Sequence, residues 1–182
     1  MIGFSGRLNG FLTIATVTFN RNLLMLWDGR VNMQVKPKYP EKTEYHSTSE
    51  WDGRTGGTAT DSSGRKIIYD TPEIFGGRGD STCPDELFVS SLVGCLNNTF
   101  LDFQRRFEME LKSLVLRGTA TALFDGNGYL VTGVSISGEV VVGKDELETG
   151  KRCIELMKEY CHLTRTIKDC LPVEFDISIR EG

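Results

Sequence analysis

The sequence is short of positive charge, with 21 Lys and Arg against 25 Asp and Glu and a net charge of -4. A nucleic-acid binder usually presents a basic face, so that class is disfavoured. Histidine is scarcer still: His46 and His162 are the only two. No C-x-x-C occurs, and the five cysteines match no zinc spacing. Long apolar runs are missing as well. No window approaches the roughly 20 apolar residues of a spanning helix, which argues against a membrane protein. The segment FLTIATVTF after Arg7 is short, is interrupted by threonines and leads to no small-residue cleavage site, so it does not make a signal peptide. There is no G-x-S-x-G and no H-E-x-x-H, and the glycine-rich GGRGD from Gly76 to Asp80 lacks a phosphate-loop lysine. The expectation is a soluble, cytoplasmic protein.

What remains is enough for a real core. The chain has 182 residues, 39% of them hydrophobic, and fits one domain with an appendage. Residues 1–36 are rich in β-branched residues and predict an N-terminal β-rich extension. Two prolines and four charges in Lys36 to Lys42 mark a linker, and residues 43–182 form the main domain. In that domain strands are predicted over Glu44 to Trp51, Thr55 to Thr60 and Lys66 to Tyr69. A helix opens at Pro84. A long hairpin, Leu114 to Phe124 and Tyr129 to Val142, turns at Asp125-Gly126-Asn127-Gly128. A second helix runs from Glu146 to about Asp169, with a possible break near Cys161. Val173, Phe175, Ile177 and Ile179 alternate with polar residues as a last strand. The order predicts an α+β fold: an antiparallel β-sheet covered on one face by two main helices.

The stretch from Thr82 to Phe107 is the centre of this plan. Pro84 suits a first helical position, and Asp85 and Glu86 place negative charge where the helix dipole favours it. Phe88, Leu92, Cys95, Leu96, Phe100, Phe103 and Phe107 recur at helical spacing. Cys83, Cys95, Cys153, Cys161 and Cys170 are odd in number, and the chain is long for a disulfide-stapled domain. A reducing compartment with mostly buried thiols follows. Cys95 and Cys161 each fall on the apolar side of a helix. Two such thiols pack a core more often than they form a redox pair, and spacing alone leaves both readings open. Redox chemistry needs a cation to favour the thiolate. Cys95 lies about three turns into its helix, beyond much help from the N-terminal dipole, so that cation must come from elsewhere.

Three blocks carry a family resemblance. TPEIFGGRGDSTCPDELFVSSLVGC (Thr71 to Cys95), MKEYCHLTRTIKDCLPVEFDISI (Met157 to Ile179) and EWDGRTGGTATDSSG (Glu50 to Gly64) together resemble the OsmC/Ohr family of thiol peroxidases. The resemblance implies an OsmC-like fold in an intertwined homodimer with two sites at the interface. It implies Cys95 as the peroxidatic thiolate, oxidised by an organic hydroperoxide or hydrogen peroxide to a sulfenic acid. Cys161 then closes a Cys95–Cys161 disulfide, which a dithiol reductant such as a lipoylated protein reopens. No metal or bound cofactor is implied, because sulfur carries the electrons. The resemblance assigns the activating arginine to Arg54, with Arg78 as a rival. It assigns the supporting carboxylate, ten residues before Cys95, to Asp85, with Glu86 beside it. Phe88, Phe100 and Phe103 are candidates for an apolar substrate pocket, and equally for core.

The sequence also departs from the family pattern. Asp85 stands where the family has glutamate, one methylene longer. His162 replaces the usual proline after the resolving cysteine and reads as a surface residue without a role. Cys83 replaces an asparagine; it reads as incidental or as an alternative disulfide partner, and Cys153 and Cys170 as incidental. These departures sustain a second reading: a non-catalytic dimeric stress or small-molecule-binding protein whose thiols are structural.

Overall fold

The computed structural model describes residues 40–182, so the predicted β-rich extension, residues 1–36, lies outside the described residues. Two sheets and three helices follow. Strands β1 (Ser47–Trp51), β2 (Gly56–Asp61) and β3 (Lys66–Asp70) form a small antiparallel sheet in the order β1-β2-β3. Helix α1 (Pro84–Arg106) leads to β4 (Leu111–Phe124) and β5 (Tyr129–Val142). Helices α2 (Leu147–Tyr160) and α3 (His162–Ile167) precede the last strand, β6 (Val173–Glu181).

The β4–β5 hairpin is built from its turn outward. The Asp125 carboxylate accepts the backbone amides of Asn127 at 2.8 Å and Gly128 at 3.0 Å, and Gly126 takes a φ of 99°. A side-chain-stabilised turn with a positive-φ glycine is what this Asp-Gly-Asn-Gly run is suited to. Antiparallel pairing then runs from Phe124↔Tyr129 to Leu111↔Val142. On β5, Val134, Ile136, Val140 and Val142 turn inward and are buried.

The larger sheet departs from the antiparallel expectation at one edge. β6 pairs parallel to β5, from Val134↔Val173 to Val142↔Glu181. The cause is the connection. Two helices occupy the space between β5 and β6 and carry the chain back past the sheet, and such a crossover returns a strand in the same direction. The α+β class is unchanged: one antiparallel sheet and one mixed sheet, with the helices packed against the mixed one.

Helix α1 docks through Leu92, Leu96, Phe100 and Phe103, which are buried with Met109 and with Cys153, Ile154, Leu156 and Met157 of α2. Its approach to β4 depends on Gly118, where a Cβ would lie 2.7 Å from Val89 and 2.9 Å from Val93. Gly94, beside Cys95, has open space around it and is not a packing requirement. Phe100 is fully enclosed. Phe100→Ala is therefore expected to destabilise the fold by about 3–5 kcal/mol, read as a lower urea midpoint with an unchanged slope.

The small sheet is poorly covered. Trp51, Ile67, Ile68, Ile74 and Phe75 all remain exposed, and so do Leu123, Phe124, Tyr129 and Leu130 at the tip of the long hairpin. Phe75 and Phe124 both pack on Tyr129, at ring separations of 5.3 and 5.5 Å.

Candidate active site

The chain between α2 and α3 breaks at Cys161. This residue is extended (φ -60°, ψ 111°) although its amide still donates to Met157 O at 3.0 Å; its carbonyl then accepts the Arg165 amide at 3.0 Å and starts α3. No proline is involved. The extended residue lies between the two helices with its side chain fully buried. Cys95, half-buried on α1, faces it, and the two sulfurs are 3.2 Å apart. A closing movement of about 1 Å would bring them to disulfide bond length.

His162 comes next in the chain, and its imidazole Nδ1 lies 3.4 Å from Cys95 Sγ. The surface residue without a role expected from sequence is thus in contact with the candidate nucleophile. Its position had one legible signal: it is the residue immediately after a cysteine at a predicted helix break.

Burial pushes the Cys95 thiol above its ordinary range, and the neighbouring Cys161 thiol adds to this. The Leu163 backbone amide and the Thr99 hydroxyl act in the opposite direction without reversing it. Cys153 is pushed up to about 11 by burial and by the charge of Glu146. Fully buried, it is a packing thiol. Cys170 is exposed and its thiol donates to Ile167 O.

None of the other predicted site residues makes a side-chain hydrogen bond to Cys95 or Cys161 among the described residues. Arg54 is exposed in the β1–β2 turn, where its amide donates to Asp52 Oδ1 at 2.7 Å and its carbonyl accepts Trp51 Nε1 at 2.9 Å. No ion pair among the described residues joins Arg54 or Arg78 to Asp85 or Glu86. Asp85 is exposed in the first turn of α1. Glu86 has a structural task. Its carboxylate accepts the Cys83 amide while its own amide donates to Cys83 Sγ, a capping box with sulfur in the usual place of a hydroxyl. Cys83, expected to be incidental, is the cap. The C-x-x-E spacing was the available signal. Phe100 and Phe103 belong to the buried core, and Phe88 is half-buried against it.

Arg78 is committed to carboxylates. It pairs with Asp52 at 2.6 Å, Asp80 at 2.7 Å and buried Asp70 at 3.4 Å. These hydrogen bonds hold its guanidinium charged. Burial alone would raise the Asp70 carboxyl. The Thr55 hydroxyl, the amides of Asp80 and Thr71 and the Arg78 charge outweigh it, and the net shift is downward. A folded value below the unfolded one means that ionised Asp70 stabilises the fold above the unfolded value. That contribution is lost as pH falls through the folded value. Asp70→Asn should therefore melt at a lower temperature than the natural protein at about pH 7, with the gap narrowing towards about pH 3 in thermal melts.

The comparisons with known proteins bear on the family and the fold. A family model described as OsmC-like protein matches residues 77–176, which include both Cys95 and Cys161. No curated protein matches the sequence. Among solved structures, an organic hydroperoxide resistance protein from Legionella pneumophila superposes with a TM-score of 0.57 at 15% identity, over 75% of this chain and 96% of its own. An OsmC-like protein from Mycoplasma pneumoniae gives 0.63 at 14%, over 76% and 97%. An organic hydroperoxide resistance protein from Elizabethkingia anophelis gives 0.59 at 14%, over 78% and 98%. At such identities the likeness carries the fold.

Proposed function

The chain belongs to the OsmC-like family, and from that premise we propose that it is a thiol-dependent hydroperoxide reductase in which Cys95 and Cys161 are the working pair. One observation carries the reading: a half-buried sulfur on α1 lies 3.2 Å from a buried sulfur on a different structural element, at a break between helices. Simple core packing does not require two thiols to meet there, whereas a redox pair does.

The chemistry proceeds in three steps. The Cys95 thiolate attacks the outer oxygen of the hydroperoxide; the S–O bond forms, the O–O bond breaks and an alkoxide leaves, to be protonated to an alcohol. Cys95 becomes a sulfenic acid. The Cys161 thiol then attacks that sulfur, forms the disulfide and releases water. A dithiol, such as a lipoylated protein, reduces the disulfide by exchange. The uncovered apolar side of the small sheet supports a homodimer, and in that assembly the Arg54 of a second copy is the candidate cation for the thiolate. Asp85 is the candidate carboxylate for that arginine, and Phe88, with Phe100 and Phe103 behind it, backs the apolar side of the site.

The test is direct. Reduced protein is treated with cumene hydroperoxide, and its disulfides are mapped by mass spectrometry. A Cys95–Cys161 bond with consumption of about one peroxide per pair is expected, and thiols left unchanged by the oxidant would refute the reading. The non-catalytic reading has one observation in its favour, the upward push on the Cys95 thiol, and it predicts that second outcome.

A further inference from the structure

We propose that His162 is the proton-transfer partner of Cys95: its Nδ1 takes the thiol proton before attack on the peroxide and returns it to the leaving alkoxide. The inference rests on the peroxidase reading for its second half and on geometry alone for its first.

The geometry is the 3.4 Å separation of Nδ1 and Sγ, a distance at which one proton is shared between the two atoms. The ring is held there by the chain. His162 opens α3 immediately after the extended Cys161, and its carbonyl accepts the Thr166 hydroxyl at 2.8 Å. Cys161, with its sulfur 3.2 Å from that of Cys95, offers only a second thiol. His162 itself is exposed, so that the ring can exchange protons with water between turnovers.

No side-chain hydrogen bond among the described residues joins another charged group to this contact. On α1, Asp85 and Glu86 precede Cys95 by about three turns; Asp102, two turns beyond it, pairs with Arg105 and Arg106. At the end of α2, Lys158 lies over the Phe175 ring, with Glu159 beside it in sequence, and α3 itself adds Arg165. None of the ion pairs among the described residues includes His162.

The balance is simple. Neutral His162, protonated on Nε2, accepts the Cys95 proton at Nδ1 and leaves a thiolate beside an imidazolium. The thiolate gives two electrons to the peroxide, the outer oxygen stays on sulfur as the sulfenic acid, and the alkoxide takes the imidazolium proton. His162 is neutral again, and a thiol and a hydroperoxide have become a sulfenic acid and an alcohol. An imidazolium at that distance favours the thiolate and so opposes the upward push of burial on the Cys95 thiol.

His162→Asn and His162→Gln test this, each checked for a natural far-ultraviolet circular dichroism spectrum. Two rates are measured across pH: alkylation of Cys95 by iodoacetamide, read on its peptide by mass spectrometry, and oxidation by cumene hydroperoxide in stopped flow. In the natural protein both rates should rise with pH through a midpoint set by the Cys95–His162 pair. In the variants the midpoints should move upward, with oxidation slowed about tenfold or more at pH 6.5 and the gap narrowing as pH rises. Variants with unshifted midpoints would overturn the inference. A shifted alkylation profile in a protein inert to peroxide would sink the peroxidase reading and leave the Cys95–His162 pair standing.

Discussion

Cys95→Ser is expected to lower the rate of cumene hydroperoxide consumption by at least about a thousandfold, to the background of the uncatalysed reaction. The size follows from the chemistry. Attack on the O–O bond needs a soft, ionisable sulfur, and a hydroxyl at the same place supplies neither the nucleophile nor the oxidation ladder that stores the product as a sulfenic acid. The remaining thiols are poor substitutes. Cys161 and Cys153 are fully buried, Cys153 is also pushed up to about 11, and Cys83 is engaged in capping α1. The half-buried position of Cys95 makes the substitution small in packing terms, so folding should be little affected. Peroxide consumption at natural rates in this variant would remove Cys95 from the mechanism.

Cys161→Ala is expected to separate the first chemical step from turnover. Cys95 should still be oxidised once, because neither His162 nor the Leu163 amide is altered. The sulfenic acid then has no partner at 3.2 Å to condense with. It should be trapped by dimedone, and with excess peroxide it should advance to the irreversible sulfinic acid. Steady-state consumption with a dithiol should fall to little more than one equivalent per chain. Emptying a buried position will also cost stability, about 1–2 kcal/mol, which a urea titration separates from the chemical loss. Steady turnover in this variant at the natural rate would rule out Cys161 as the resolving thiol.

The limits of sequence reading fall along a physical line. β5 spans Tyr129–Val142 as expected, because a strong Asp-Gly-Asn-Gly turn fixes where its hairpin begins. The start of α1 at Pro84 was legible from proline and acidic residues. β4 begins three residues earlier than predicted, at Leu111, since its first pairs depend on the partner strand rather than on its own alternation. The direction of β6 was not legible at all. Its Val-Phe-Ile-Ile alternation is the same in a parallel and an antiparallel neighbour, and only the path of α2 and α3 decides between them. No local pattern marks the carboxylates around the small sheet as a group. They converge on Arg78 because two turns and a glycine-rich loop bring Asp52, Asp70 and Asp80 together.

The sequence by itself determined the order of elements, the apolar stripe of α1 and the place of Cys95 on that stripe. These depend on periods of 2 and 3.6 and on residues a few positions apart, which the chain carries locally. The tertiary structure alone decided that the two sulfurs meet, that Arg78 is bound elsewhere and that His162 faces Cys95. The first and third are distances between residues far apart in the chain, set by how α3 folds back onto α1, and the second follows from the turns and loop around the small sheet. The single extended residue at Cys161 makes that fold-back, and no local pattern in the sequence announces where it points.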